Sequence, residues 1–119
     1  MYEKKIPDVL DCGLSVGIKV IGGKWKAWLI DAIKRGNQRP VELHREMGSE
    51  VSMRVISMML RELEDYGILS KKVYAEVPLR VEYSLTKAGQ ELLPVLDLLD
   101  KWGDRNRETV VGKELTVSR

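Results

Sequence analysis

The chain holds one cysteine, Cys12, and one histidine, His44. A single cysteine excludes an intrachain disulfide and an all-cysteine zinc site within one subunit, and His44 with scattered carboxylates does not complete a metal site either. No metal or other cofactor is expected. Apolar runs are also short, well under the roughly 20 residues that cross a bilayer, so no membrane partner is expected. The start, Met1-Tyr2-Glu3-Lys4-Lys5-Ile6-Pro7, has two lysines with no apolar stretch behind them. That pattern predicts no secretory leader and a cytoplasmic location. Repeats and low-complexity stretches are missing too. Gly22-Gly23-Lys24 lacks the spacing and terminal Ser or Thr of a phosphate-binding loop, and reads as a helix break followed by a basic residue. Ser, His and Asp occur, but no nucleophile elbow gathers them, so no enzyme is expected.

What the chain does contain is typical of a soluble globular protein: 119 residues, 44% apolar and 32% charged. A chain of that length buries roughly two thirds of its unfolded surface and needs no metal or disulfide support. The net charge is only +2, but it is unevenly placed. Residues 19–80 carry 12 Lys and Arg against 8 Asp and Glu, whereas the remainder carries 8 against 10. The middle of the chain is the basic part, which supports nucleic-acid binding only alongside other signals.

Periodicity predicts a helix over 8–21, with Val9, Leu10, Leu14, Ile18 and Ile21 at helical spacing. After Gly22-Gly23, the stripe Trp25, Trp28, Leu29, Ala32 and Ile33 predicts a core helix that ends at Arg35-Gly36. Trp25 and Trp28 read as core and subunit seam rather than a ligand cage. Residues 37–40 form a loop or a very short strand, and Pro40 opens a third helix over 41–47 that Gly48 stops. His44 is expected on its surface.

A short link, 48–51, can hold the third helix at a steep angle to the next, as in a helix-turn-helix. Ser52 is placed as the N-cap of a helix over 52–65. Val55, Ile56, Met59, Leu60 and Leu63 form the stripe that must face the core. Opposite them, Arg54, Ser57, Met58 and Arg61 share one exposed face with two guanidinium groups and no carboxylate. Arginine can bond two acceptors on a guanine edge, and a major groove accepts a helix, so Ser52, Met53, Arg54, Ser57, Met58 and Arg61 are the expected DNA-reading residues. Glu62, Glu64 and Asp65 all lie in the last turn, which suits insertion by the front half.

A β-hairpin over 68–85 follows, with Val77-Pro78-Leu79-Arg80 as its turn. It reads as a wing, with Lys71 and Lys72 as expected phosphate contacts and Arg80 near the tip lying along or in a minor groove. Lysines on an edge strand also deter sheet aggregation, so each has a structural reading as well. Beyond Thr86, a further N-cap, the segment 87–107 carries Leu92, Val95, Leu96, Leu99 and Trp102 on one stripe, with Leu93 and Leu98 beside it. That is more apolar surface than one small core covers. Together with Leu10 and Leu14 of the first helix, the stripe predicts a homodimer whose two reading helices address an inverted repeat of double-stranded DNA. Pro94 should bend this helix without ending it.

The expected fold class is therefore mainly α with a small β-hairpin (α+β), a winged helix-turn-helix with N- and C-terminal dimerisation helices. Its single domain covers 1–107, with a reading core over about 24–86, dimerisation helices over about 8–21 and 87–107, and a mobile tail over 108–119. A winged helix that binds only protein would keep the same fold and show no DNA affinity.

Several blocks in this order carry a family resemblance: Gly22-Gly23-Lys24-Trp25, Leu60-Arg61-Glu62-Leu63-Glu64 with Tyr66-Gly67-Ile68-Leu69, Val77-Pro78-Leu79-Arg80-Val81-Glu82-Tyr83-Ser84-Leu85-Thr86 with Gly89, and Trp102-Gly103. From residue 12 to about 103 the chain resembles the HxlR-type winged-helix regulators of bacteria. The resemblance implies a MarR-like dimeric repressor or activator that reads DNA with the helix from Ser52. It also implies a sensing role for Cys12, since some relatives use a cysteine near the first helix to detect oxidants or small reactive electrophiles. Asp8 and Asp11 would oppose ionisation there, and a small packed apolar residue is the competing reading. The family usually has proline after this cysteine and an aromatic after the loop arginine, where this chain has Gly13 and Pro40.

Overall fold

The computed structural model describes residues 12–112, which form α1 (Gly13–Ile21), α2 (Lys26–Lys34), α3 (Pro40–Met47), a 3₁₀ turn (Gly48–Glu50), α4 (Met53–Asp65), β1 (Leu69–Tyr74), β2 (Arg80–Leu85), α5 (Lys87–Glu91), α6 (Leu93–Arg105) and α7 (Arg107–Val111). The expected class holds: the fold is mostly helical with one antiparallel hairpin. Its core is the meeting point of three helices and the hairpin base. Leu29, Ile30 and Ile33 of α2, Leu43 and Met47 of α3, and Ile56, Met59, Leu60 and Leu63 of α4 are buried together with Ile68, Leu69 and Tyr83. Fully burying a Leu or Ile contributes roughly 1.5–3 kcal/mol, so α4, whose Ile56, Leu60 and Leu63 have no exposed surface, is held in one rotation about its axis.

Local chemistry sets where the elements begin. Pro40 opens α3, where its missing N–H costs nothing, and the Glu42 carboxylate accepts from the N–H groups of Gln38 and Arg39, each at 3.1 Å. Ser52 caps α4 by accepting from the Val55 N–H at 3.2 Å. At the other end Gly67 takes a positive φ of 80°, a conformation that strains any residue with a Cβ, and the chain reverses into β1. The hairpin pairs Leu69 with Leu85 at its base and Tyr74 with Arg80 at its far end. The Tyr83 N–H donates to the Gln38 carbonyl (2.8 Å), pinning the loop before α3 to β2.

Thr86 and Gly89 fasten the hairpin base to the C-terminal helices. The Thr86 hydroxyl donates to the Gly67 carbonyl (2.6 Å) with the Ile68 carbonyl 3.0 Å away, and accepts from the Gly89 N–H (3.1 Å). Thr86 also donates its own N–H to Ile68 (3.0 Å).

The ends differ from expectation. Leu10, with the rest of 1–11, lies outside the described residues, and the described helix begins at Gly13. The single helix expected over 87–107 is divided at Leu92 into α5 and α6. Pro94 is the physical reason: it has no N–H for the Gln90 carbonyl and its ring crowds that oxygen, so it ends one helix and stands in the first turn of the next. Helix persists in α7 through Val111, where the tail was expected from 108, and 113–119 lie outside the described residues. Arg80 belongs to β2 rather than to the turn.

Gly89→Ala separates two effects of opposite sign. Alanine favours a helix over glycine by about 1 kcal/mol. A methyl at Gly89, however, would land on the Ile68 carbonyl oxygen, which the Thr86 clasp holds in place. Overpacking of that kind costs about 1–3 kcal/mol, so we expect a lower thermal midpoint. A midpoint equal to or above that of the unaltered chain would refute the clasp.

Candidate nucleic-acid interface

Because α4 buries Ile56, Met59, Leu60 and Leu63, its opposite face is left to solvent. Arg54 and Arg61 are exposed there, Met58 is 58% exposed, and Met53 and Ser57 are half-buried beside them. No ion pair engages Arg54 or Arg61 among the described residues. Ser52 uses its oxygen as the helix cap and keeps its hydroxyl proton for an outside acceptor. The first turn contains no acid, so the partly positive helix end is uncompensated. At the far end, Glu62 pairs with Lys26 of α2, and Glu64 lies 4.0 Å from Lys71 of β1. Acids are drawn toward neighbouring elements while the arginines stay free. The surface thus presents fork-shaped donors, a hydroxyl and a methionine thioether along the front of one helix, a set suited to base edges and phosphate oxygens.

The hairpin is arranged differently from expectation. Lys71 and Lys72 are exposed on β1, and Lys72 extends over the Tyr74 ring at 4.9 Å. Arg80 does not project from the tip. Its guanidinium stacks on Tyr74 at 3.8 Å and is bridged to Glu76 (3.1 Å) and Glu82 (3.7 Å), while the Tyr74 hydroxyl donates to Glu82 (3.1 Å). Tyr74, Glu76 and Glu82 were not singled out in the sequence. The available signal was hairpin register, which sets Tyr74 directly opposite Arg80. Deeper in the hairpin, burial and then the nearby Glu64 carboxylate hold the Tyr83 phenol above its ordinary pKa.

The expected dimerisation residues divide into two groups. Leu92 and Leu96, with Leu93, pack against the protomer's own core. Val95, Leu98, Leu99 and Trp102 face outward with spacing of three, four and seven residues, and Trp102 is 50% exposed. Leu98, expected beside the stripe, is therefore part of the outward one. On α1, Leu14 is 73% exposed and Ile18 also faces solvent, while Val20 and Ile21 reach the core. Trp25 and Trp28 lean edge to face against the core, with ring centres 6.4 Å apart. His44 is half-buried on α3.

Cys12 is exposed at the N-cap position of α1. The backbone N–H groups of Ser15 and Leu14, followed by the Ser15 hydroxyl, favour its thiolate and lower its pKa from the ordinary thiol value. Asp8 and Asp11 lie outside the described residues. No described helix is long and apolar enough to cross a membrane.

Comparison with known proteins matches residues 20–111 to the HxlR-like helix-turn-helix family. An HTH-type transcriptional regulator of Methanothermobacter thermautotrophicus is 41% identical over 92 residues, which cover 77% of this chain and 70% of that protein. The HTH-type transcriptional regulator YybR of Bacillus subtilis is 39% identical over 112 residues, or 92% of this chain and 89% of its own. Among solved structures, the redox regulator HypR in its reduced form superimposes with a TM-score of 0.78 at 37% identity, covering 85% of this chain and 99% of HypR. Its oxidised form gives 0.73 at 39% identity, covering 80% and 97%.

The sign of the Cys12 shift is testable by itself. A thiol whose folded pKa is lowered stabilises the fold above the unfolded pKa, and that contribution is lost as pH falls through the folded value. Alkylation by iodoacetamide, followed against pH, should reach half its plateau at lower pH in the folded chain than in the urea-unfolded chain. Coincident curves would show that the α1 N-terminus does not act on Cys12.

Proposed function

The chain belongs to the HxlR-like helix-turn-helix family, and from that premise we propose how this transcriptional regulator engages DNA. Two copies pair through the outward stripes of α1 and α6, as a homodimer acting on cytoplasmic DNA. Each α4 enters a major groove, and the two grooves belong to an inverted repeat with half-sites about one helical turn apart. The observation that carries this reading is the face made by Arg54, Ser57, Met58 and Arg61: it is turned outward by the buried stripe behind it and pairs with no carboxylate among the described residues. Lys71 and Lys72 supply phosphate contacts that set register without reading sequence.

Cys12 supplies the switch in this reading. Its exposed thiol, at the N-cap position of α1 and with its pKa lowered, is available to an oxidant or a small electrophile, and the structural likeness to a redox regulator captured in two oxidation states supports that role. Two Cys12 thiols, one from each protomer, lose two electrons and two protons to diamide and form one disulfide; an electrophile instead forms one thioether per thiol. Either product at the dimer seam would change the separation of the two reading helices.

Binding to duplexes from upstream of the chain's own and neighbouring genes tests both parts. Arg54→Ala or Arg61→Ala should weaken specific binding by about 1–3 kcal/mol and relax base preference. Affinity of the unaltered chain should fall with salt at a log-log slope of roughly −0.9 per phosphate neutralised. A flat salt response, or intact selectivity in both variants, would remove the reading-helix assignment. Diamide should shift affinity in the unaltered chain and leave Cys12→Ser unmoved; equal responses would end the switch.

A further inference from the structure

Past the Tyr74–Arg80 pair, residues 75–79 of the hairpin carry no positive charge. Between Tyr74 and Glu82 the only cation is Arg80, and it is bridged to both Glu76 and Glu82. Its Nε is buried without a hydrogen-bond partner, and the guanidinium lies along the hairpin against the Tyr74 ring instead of projecting from the tip. A tip shaped to follow phosphates would expose a cation at this point. Beyond the Arg80 brace project Val77, Pro78 and Leu79 instead; Val77 is fully exposed and Leu79 is 65% exposed.

Building on the DNA-binding reading above, we propose that Val77-Pro78-Leu79 is an apolar wedge that enters the minor groove beside each half-site, and that Arg80 is the positioning residue that stiffens it. Two observations favour DNA over a protein as the occupant. The projecting patch is three side chains on a narrow hairpin, far below the roughly 800 Å² per partner of a stable protein interface. A minor groove about 6 Å wide, by contrast, takes one or two such side chains. Proline and leucine are also among the residues that press between base steps and unstack them. Such a wedge gains least resistance at flexible pyrimidine–purine steps, so it selects sequence where α4 makes no contact.

The test is a salt titration on a duplex selected by the unaltered chain from a random library, with Leu79→Ser and Lys72→Ala alongside. Both positions are exposed, so thermal melting should be unchanged. Leu79→Ser should weaken binding roughly tenfold with the salt slope intact, whereas Lys72→Ala should reduce the slope by about 0.9. Replacing a TA step under the tip by AA should weaken the unaltered chain and leave Leu79→Ser unmoved. Unchanged affinity in Leu79→Ser, or a loss that flattens the salt slope, overturns the wedge. Full DNA affinity with lost transcriptional control in Leu79→Ser would overturn it in favour of a protein contact. If the unaltered chain selects no duplex, the DNA-binding reading falls first and the wedge with it.

Discussion

The rotation of α4 about its own axis is the constraint from which the rest of the molecule follows. Ile56, Leu60 and Leu63 are fully buried in the core, where α4 packs on α3 and β1, and turning the helix by one residue, about 100°, would bring charged side chains into that space. An ion moved inward without a partner costs several kcal/mol, far more than any surface contact of Arg54 or Arg61 can return. The outward direction of those arginines is therefore a consequence of hydrophobic packing. The face proposed to meet DNA therefore keeps its orientation whether or not DNA is present.

The charge order along α4 argues in the same direction. Arg54 stands in the first turn, beside the partly positive helix end, and Glu62, Glu64 and Asp65 stand near the partly negative one. Each such placement costs roughly 0.3–1 kcal/mol at exposed sites. Lys26 and Lys71 offset Glu62 and Glu64 from neighbouring elements, but a pair open to solvent, as Glu64–Lys71 is, is worth only about 0–1 kcal/mol. Stability alone would reverse this order. The proposed insertion of the cationic front half between phosphates, with the acidic back half held away, accounts for it.

Local signals explain how much could be read beforehand. The Ser52 cap, the Pro40 start, the Gly67 reversal and the α4 stripe each depend on a few adjacent residues and one periodicity, and all are legible in sequence. Arg80 is different, since its partners depend on strand register and on the ring directly opposite it. Reading a lone arginine near a turn as a groove probe ignored that two carboxylates and a tyrosine converge on it. The C-terminal stripe divides for a related reason. Periodicity locates apolar faces on a helix without saying which one meets the protomer's own core, and α6 has two, with Leu93 and Leu96 inward and Val95, Leu98, Leu99 and Trp102 outward.

That second face gives the Thr86–Gly89 clasp its significance. On the proposed dimer, α6 lies at the seam and α4 in the groove, and the clasp is where the end of the reading unit, at the Gly67 and Ile68 carbonyls, is tied to the start of the C-terminal helices. Gly89 permits the close approach and Pro94 sets where α6 departs. Half-site spacing is then a property of this junction as much as of the seam. A flexible linker here would let the two readers drift over many spacings and lose the entropic advantage of binding together. A short, hydrogen-bonded junction holds them to one, so a displacement of the helices at the seam is carried to the reading helices instead of being absorbed between them.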